Sequence, residues 1–84
     1  MWYVYILRCL DGSFYTGASS DVDRRLKEHN SGKGGKYTRM HRPVELLYKE
    51  VHPDRSIAQK RESQIKTWPR EKKLALVKSE RGKR

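Results

Sequence analysis

The first apolar run of the chain, residues 2–9, combines aromatic, β-branched and aliphatic side chains with little alternation. Such a run is typical of a strand that is covered on both faces, so we expect it at the centre of a sheet. Asp11 and Gly12 supply turn chemistry, and residues 13–18 have the composition of a second strand. The two strands are therefore predicted to form a β-hairpin.

A helical pattern follows the hairpin. In residues 21–30, Val22 and Leu26 fall on one helical face, and each of the polar residues 19–21 can serve as the N-cap. A third strand is predicted over residues 44–51, where aliphatic and aromatic side chains recur.

The C-terminal third of the chain predicts two more helices. Ser56, with Gln59 three residues later, matches a capping box at the start of the first of them. Pro69 ends this helix and can lie in the first turn of the next one. Residues 79–84 form a charged tail that we expect to fray.

The predicted order of elements is therefore ββαβαα. This is an α+β fold in which about three helices pack on a small three-stranded sheet. With 84 residues in total, the chain has room for one domain, which we expect over residues 1–78.

The chain is strongly basic. Its 20 Lys and Arg residues outnumber 10 Asp and Glu residues, for a net charge of +10. Such an excess attracts polyanions through long-range fields and counterion release, and nucleic acid is the leading candidate. An anionic membrane surface fits less well, because no segment pairs a basic face with a broad apolar face.

Several classes of protein are excluded by simple features of the sequence. The longest apolar run, residues 2–7, is too short to span a bilayer, and no secretory signal pattern precedes it. Cys9 is the only cysteine, which excludes an internal disulfide and a multi-cysteine zinc site. We therefore expect a protein of the reducing cytoplasm that does not associate with membranes. We also expect a monomer, because no long apolar surface helix is predicted.

A Gly-rich basic segment over residues 31–42 is predicted to be a flexible loop. Such a loop can follow a phosphate backbone. The residues that we expect to bind nucleic acid there are Lys33, Lys36, Arg39 and Arg42.

An ordered set of residues spread along the chain points to a particular chemistry. The hairpin carries Tyr3-Val4-Tyr5 and Tyr15-Thr16-Gly17, and Arg25, His29 and Glu62 follow. This set resembles the signature of the GIY-YIG nuclease superfamily. The similarity extends from Trp2 to about Val77. It is greatest to small stand-alone bacterial members of the superfamily, which share two further stretches, Tyr37-Thr38-Arg39 and Lys60-Arg61-Glu62.

The resemblance implies metal-dependent hydrolysis of phosphodiester bonds in DNA. Tyr15 would be the base that activates water, with support from Tyr5, and Arg25 would hold the scissile phosphate. Glu62 would bind one magnesium ion, and His29 would contact the phosphate or assist proton transfer. Because a free tyrosine ionises near pH ~10, its use as a base requires nearby cations such as Arg25.

This active site sets a geometric condition on the hairpin. Tyr5 and Tyr15 must project from the same face, and a two-residue turn would place them on opposite faces. A three-residue loop, with Gly12 in a left-handed bulge, pairs Leu7 with Tyr15 and restores a common face. We therefore predict the bulged hairpin.

The sequence departs from the superfamily signature in a few places. Tyr3-Val4 replaces the Gly-Ile of its name and Thr16 replaces the second Ile, but both changes keep strand-forming side chains. Many members carry an asparagine after the metal-binding glutamate, whereas the only asparagine here is Asn30. We expect no additional DNA-binding domain, so specificity would be weak or supplied by a protein partner.

Simpler interpretations remain open for each of these residues. The tyrosines can fill a small core, Arg25 and His29 can lie on a solvated helix, and Glu62 can be an exposed ion-pair partner. The chain can accordingly be a nucleic-acid-binding module without turnover, or an adaptor for an acidic protein.

Replacing Lys33 and Lys36 tests the basic loop. We expect the double variant to bind all nucleic-acid sequences more weakly and to lower the salt dependence of binding. The slope of log K against log salt should fall by about one unit per lost phosphate contact. A slope equal to that of the unmodified protein would contradict contact between this loop and the phosphates.

Overall fold

The computed structural model describes residues 1–30 and 43–82. In this part of the chain, three strands form one antiparallel sheet and three helices pack against it. The elements in chain order are β1 (Trp2–Cys9), β2 (Phe14–Ser19), α1 (Val22–Asn30), β3 (Pro43–His52), α2 (Arg55–Lys66) and α3 (Arg70–Gly82). The predicted ββαβαα order and α+β class are confirmed.

The predominantly apolar strand β1 lies at the centre of the sheet, whose strand order is β2-β1-β3. Val4 and Ile6 pack into a core with α2 and α3, whereas Tyr5 and Leu7 pack on the opposite face with α1. All four side chains are buried. Burying a side chain of this kind stabilises the fold by about 1.5–3 kcal/mol. Since β1 contributes buried side chains to both faces of the sheet, the helices on both faces pack against it.

The hairpin turns through the predicted three-residue loop. The Cys9 amide donates to the Ser13 carbonyl at 2.8 Å, and the Gly12 amide donates to the Cys9 carbonyl at 2.9 Å. Gly12 has φ +85°, a conformation that glycine adopts without steric cost. The resulting register pairs Leu7 with Tyr15, which confirms the bulged hairpin.

Carboxylate side chains cap the first two helices. At α1, the Asp21 Oδ1 accepts a hydrogen bond from the Arg24 amide at 3.1 Å, so Asp21 serves as the cap among the three polar residues before the helix. At α2, the Asp54 Oδ1 accepts from the Ile57 amide at 2.9 Å. The predicted capping box at Ser56 is therefore wrong: the helix begins earlier, and Ser56 lies inside its first turn.

The last helix is longer than predicted. It continues to Gly82, so residues 79–82 of the expected tail are helical, and residues 83–84 lie outside the described part of the chain. None of the described helices has both the length and the apolar character needed to cross a membrane.

Substitutions of Asp54 and Ser56 test which of the two residues caps α2. Asp54→Ala should lower the free energy of unfolding by about 1 kcal/mol, because it removes the acceptor for the Ile57 amide. Ser56→Ala should change it by less than about 0.5 kcal/mol, because alanine suits a helix interior. Urea unfolding of both variants measures the difference, and a larger effect at Ser56 would restore the capping box.

Candidate functional site

The hairpin register places Tyr5 and Tyr15 on the same face of the sheet. Tyr5 pairs with Gly17 and Tyr15 pairs with Leu7 across the β1–β2 ladder. The two phenol rings are therefore diagonal neighbours, with centroids 6.4 Å apart and ring planes inclined at 39°. Tyr5 is buried and Tyr15 is partly exposed, so only the second ring is open to a ligand from solvent.

Gly17 makes room for the Tyr5 ring. A Cβ at this position would lie 2.6 Å from the Tyr5 hydroxyl oxygen, 2.7 Å from the ring carbon that bears it, and 3.1 Å from the Tyr15 ring. The first two distances are shorter than real Cβ atoms show, and the third is unusually tight. Glycine is thus required here for close packing, which agrees with the close backbone approach that is typical of glycine within a strand.

His29 lies in contact with both tyrosines. Its side chain is fully buried in the last turn of α1, and its Nε2 is 3.2 Å from the Tyr5 hydroxyl. The Tyr15 ring meets the imidazole edge-on, with centroids 4.9 Å apart. Burial, and then the charge of Arg25, lower the pKa of His29, so the imidazole is neutral near pH ~7 and its Nε2 can accept a hydrogen bond from Tyr5.

Arg25 lies one helical turn before His29, on the same face of α1. Burial raises the pKa of Tyr5, and the neighbouring Tyr15 and Glu62 raise it further, while Arg25 opposes them through a hydrogen bond and its charge. The net effect keeps the Tyr5 phenol protonated at neutral pH. The guanidinium also pairs with Glu28, whose Oε1 accepts from Nη1 at 2.9 Å.

Glu62 lies on α2. The negative charge of its carboxylate is the smallest of the influences that raise the pKa of Tyr5, after burial and Tyr15. The side chain is 20% exposed and pairs with the Lys66 ammonium at 2.8 Å, one helical turn later. The ion-pair interpretation of Glu62 is thus correct, and its partner Lys66 is half exposed.

The orientation of α2 is fixed by the residue next to Glu62. Arg61 donates from Nε to the Glu50 carboxylate on β3 at 3.0 Å, and Tyr48 donates to the same carboxylate at 2.6 Å. Burial alone would raise the pKa of Glu50, but the hydrogen bonds from Tyr48, Arg61 and His52 lower it overall. A charged Glu50 therefore holds α2 against the sheet.

The donor set fits a magnesium ion held by one protein carboxylate. Among the described residues, no group of three or more His, Cys, Asp or Glu side chains converges on one point. Magnesium is commonly held by one or two carboxylates, with water and substrate phosphate completing its oxygen shell. Glu62, partly exposed beside the phenols, can supply such a carboxylate.

The structure thus brings together Tyr5, Tyr15 and His29 by direct contact. Arg25 and Glu62 act on the pKa of Tyr5 through their charges, Arg25 more strongly than Glu62. The four cations of the basic loop, at positions 33, 36, 39 and 42, lie outside the described residues, and their role stays a prediction. The pairing of Arg25 with Glu28 was not predicted, although their helical spacing of three residues was a visible signal. The pairing of Glu62 with Lys66 agrees with the ion-pair interpretation of Glu62, for which Lys66 was one of the candidate partners.

The family of GIY-YIG catalytic domains matches residues 1–75 of the chain. A UPF0213 protein of Staphylococcus aureus (strain Mu3) is 53% identical over 76 residues, which are 90% of this chain and 93% of the relative. A UPF0213 protein of Staphylococcus saprophyticus is 51% identical over 75 residues, covering 89% and 92% of the two chains.

Two solution NMR structures are similar to this fold. A UPF0213 protein of Bacillus halodurans is 49% identical, with a TM-score of 0.58 over 93% of this chain and 84% of its own. A protein of E. faecalis is 43% identical, with a TM-score of 0.61 over 92% and 82% of the two chains.

Substitution of Gly17 tests the packing of the tyrosine cluster. Gly17→Ala should lower the free energy of unfolding by about 1–3 kcal/mol, because the new methyl group displaces the Tyr5 ring. Combining it with Tyr5→Leu removes the ring that would collide. The double variant should therefore lose less stability in urea unfolding than the sum of the two single variants, whereas strictly additive losses would contradict the contact.

Proposed function

Because the chain belongs to the GIY-YIG nuclease family, we propose that it hydrolyses phosphodiester bonds in DNA, with one magnesium ion held by Glu62. The observation that carries this proposal is the contact of Tyr5, Tyr15 and His29, with Arg25 and Glu62 beside it. The net charge of +10 supports a polyanionic substrate.

The two phenols have different roles in this proposal. Tyr15 is partly exposed, so in its phenolate form it is the tyrosine that can accept a proton from an attacking water. Tyr5 is buried and its pKa is raised, chiefly by burial, so it stays protonated and acts as a hydrogen-bond donor that holds the neighbouring groups in place.

In this proposal His29 assists the reaction through its buried contacts with the two tyrosines. The sequence left two roles open for it, contact with the phosphate and assistance in proton transfer. Full burial and the 3.2 Å approach to the Tyr5 hydroxyl favour the second role, because a phosphate cannot reach this imidazole without unpacking the cluster. Its neutral state allows it to accept the Tyr5 hydrogen bond.

Arg25 and Glu62 act on the phosphate. The guanidinium, partly exposed at the edge of the cluster, can donate to two phosphoryl oxygens while its pair with Glu28 fixes its orientation. Bound at Glu62, magnesium would stabilise charge on the phosphoryl and leaving oxygens. The in-line attack of water on phosphorus then breaks the bond to the leaving oxygen.

Substitution of Glu62 separates a nuclease from a binding module. With magnesium and a panel of linear and branched DNA substrates, Glu62→Gln should cleave at least about 100-fold more slowly, because a metal ion contributes several kcal/mol to charge stabilisation. Its DNA binding should be unchanged or tighter, since a negative charge is lost from a basic protein. Glu71→Gln, an exposed change of the same charge on α3, is the matched control.

Two outcomes would contradict the proposal. Full cleavage by purified Glu62→Gln protein would exclude the metal role of this residue. Binding of DNA by the unmodified protein without cleavage of any substrate would instead support the binding module. Specificity conferred by a protein partner, a monomeric state and a cytoplasmic location stay predictions.

A further inference from the structure

Helix α2 packs on the sheet along one narrow apolar stripe. Its two buried residues are Ala58 and Ile65, which are seven positions apart and therefore lie on the same side of the helix. Both pack into the core with Val4 and Ile6 of β1. Because apolar contact has no preferred direction, two such residues in line hold α2 against the sheet without fixing its rotation about its own axis.

Arg61 and Glu62 lie on opposite flanks of this stripe, because successive residues of a helix are about 100° apart. Arg61 is on the flank that faces β3, where its Nε donates to the Glu50 carboxylate at 3.0 Å. Glu62 is on the flank that faces β2, since its partner Lys66, at 2.8 Å, lines a surface cleft together with Phe14 of β2. A rotation of α2 that moves one flank therefore moves the other.

The Glu50 carboxylate is a fixed acceptor for Arg61. Its side chain is 15% exposed, and neighbours on β3 hold it in place. Tyr48 donates to Oε1 at 2.6 Å, and the His52 imidazole contacts Oε2. These three side chains lie on the face of the sheet that α2 covers, because residues two apart on a strand share a face.

The guanidinium of Arg61 is also fixed relative to its own helix. Its Nη1 donates to the Gln64 Oε1 at 3.2 Å, and its central carbon lies 5.1 Å from the centroid of the Trp68 ring, just beyond the end of α2. Glu50 thus holds this group relative to the sheet, while Gln64 and Trp68 hold it relative to the helix. The link between sheet and helix is therefore stiff.

A largely buried ion pair of this kind contributes direction rather than attachment. Apolar residues of similar volume often stabilise a fold as well as a buried ion pair does, but a hydrogen bond weakens steeply away from its preferred geometry. A rotation of α2 by about 10° would move a side-chain head about 5–6 Å from the helix axis by about 1 Å. A misplacement of that size can lower a reaction rate about 100-fold.

We propose that Glu50 is a positioning residue of the active site: through Arg61, it sets the rotation of α2 at which the Glu62 carboxylate holds the magnesium ion against the scissile phosphate. This inference rests on the proposed function, because it takes Glu62 as the metal ligand. Glu50 acts only through Arg61 and is not itself a catalytic residue.

Amide NMR spectra test the rotation of α2 without metal or DNA. In Glu50→Gln, one acceptor oxygen replaces two, so the amide cannot accept from Tyr48, His52 and Arg61 alike. The signals of residues 61–66 should therefore shift. Glu45→Gln, the matched control, makes the same charge change on β3 at an exposed pair with Arg8 of β1, and it should leave these signals in place.

Arg61→Met is the second variant, and it keeps Glu50 hydrogen-bonded to its neighbours on β3. Its side chain is partly exposed, so the change is compatible with folding. Because it breaks the same link from the helix side, it should shift the same signals of α2 as Glu50→Gln.

The paramagnetic ion Mn²⁺ reports the position of the metal site separately from cleavage. In the unmodified protein it should broaden the amide signals around Glu62, and in Glu62→Gln it should not. In Glu50→Gln the broadening at residues 61–63 should persist, while the broadening on β1 and β2 should change, because the bound ion moves with the helix relative to the sheet. A loss of stability alone would not change this pattern.

Cleavage at saturating DNA and magnesium, at a temperature where urea unfolding shows each variant to be folded, tests the consequence for the reaction. Glu50→Gln should lower kcat by about 10- to 100-fold and change KM little. Arg61→Met should lower kcat to a similar extent. Since both residues act through one link, the double variant should lose no more than either single variant.

Three results would overturn the positioning role: α2 signals in Glu50→Gln that match those of the unmodified protein, a kcat for Glu50→Gln equal to that of Glu45→Gln, or strictly additive losses in the double variant. Cleavage that is lost in Glu62→Gln but intact in Glu50→Gln would remove the role and keep the proposed function. If the unmodified protein cuts no DNA, the proposed function fails, and the metal-free spectra still decide whether Glu50 sets the rotation of α2.

Discussion

The pairing of Leu7 with Tyr15 across the hairpin is the constraint on which the candidate site depends. One residue more or fewer in the loop would turn every side chain of β2 to the other face of the sheet. The left-handed conformation of Gly12 fixes this register. With the register set, Gly17 lies opposite Tyr5, and the absence of a side chain there allows the phenol to pack against β2 and reach His29.

The same packing gives the two phenols different environments. Tyr5 lies on the central strand, where burial raises its pKa, whereas Tyr15 lies on the edge strand of the described sheet and is partly exposed. His29 joins them beneath the surface, and its lowered pKa follows first from burial and then from Arg25. The protonated Tyr5 and the more accessible Tyr15 both contact the neutral imidazole of His29. This arrangement is suited to proton transfer.

Helices α2 and α3 pack on the face of the sheet opposite α1, and they carry Glu62, Lys66 and Lys73. Glu50 holds Arg61, and through it α2, the helix whose Glu62 carboxylate contributes to raising the pKa of Tyr5. Helix α3 is tied to the hairpin by Arg70. The site therefore lies where both helical layers meet the edge strand.

The sequence by itself determined the order of elements and the central position of β1, because these follow from apolar runs and from turn residues. The register of the hairpin was predicted from the resemblance, which required Tyr5 and Tyr15 to share a face. The residue set of the site followed from resemblance. Only the tertiary structure decided that Asp54 rather than Ser56 caps α2, that His29 is fully buried and that the Thr16 hydroxyl lacks a partner among the described residues. Burial and hydrogen-bond partners depend on which distant elements pack together, and local spacing carries no information about that packing.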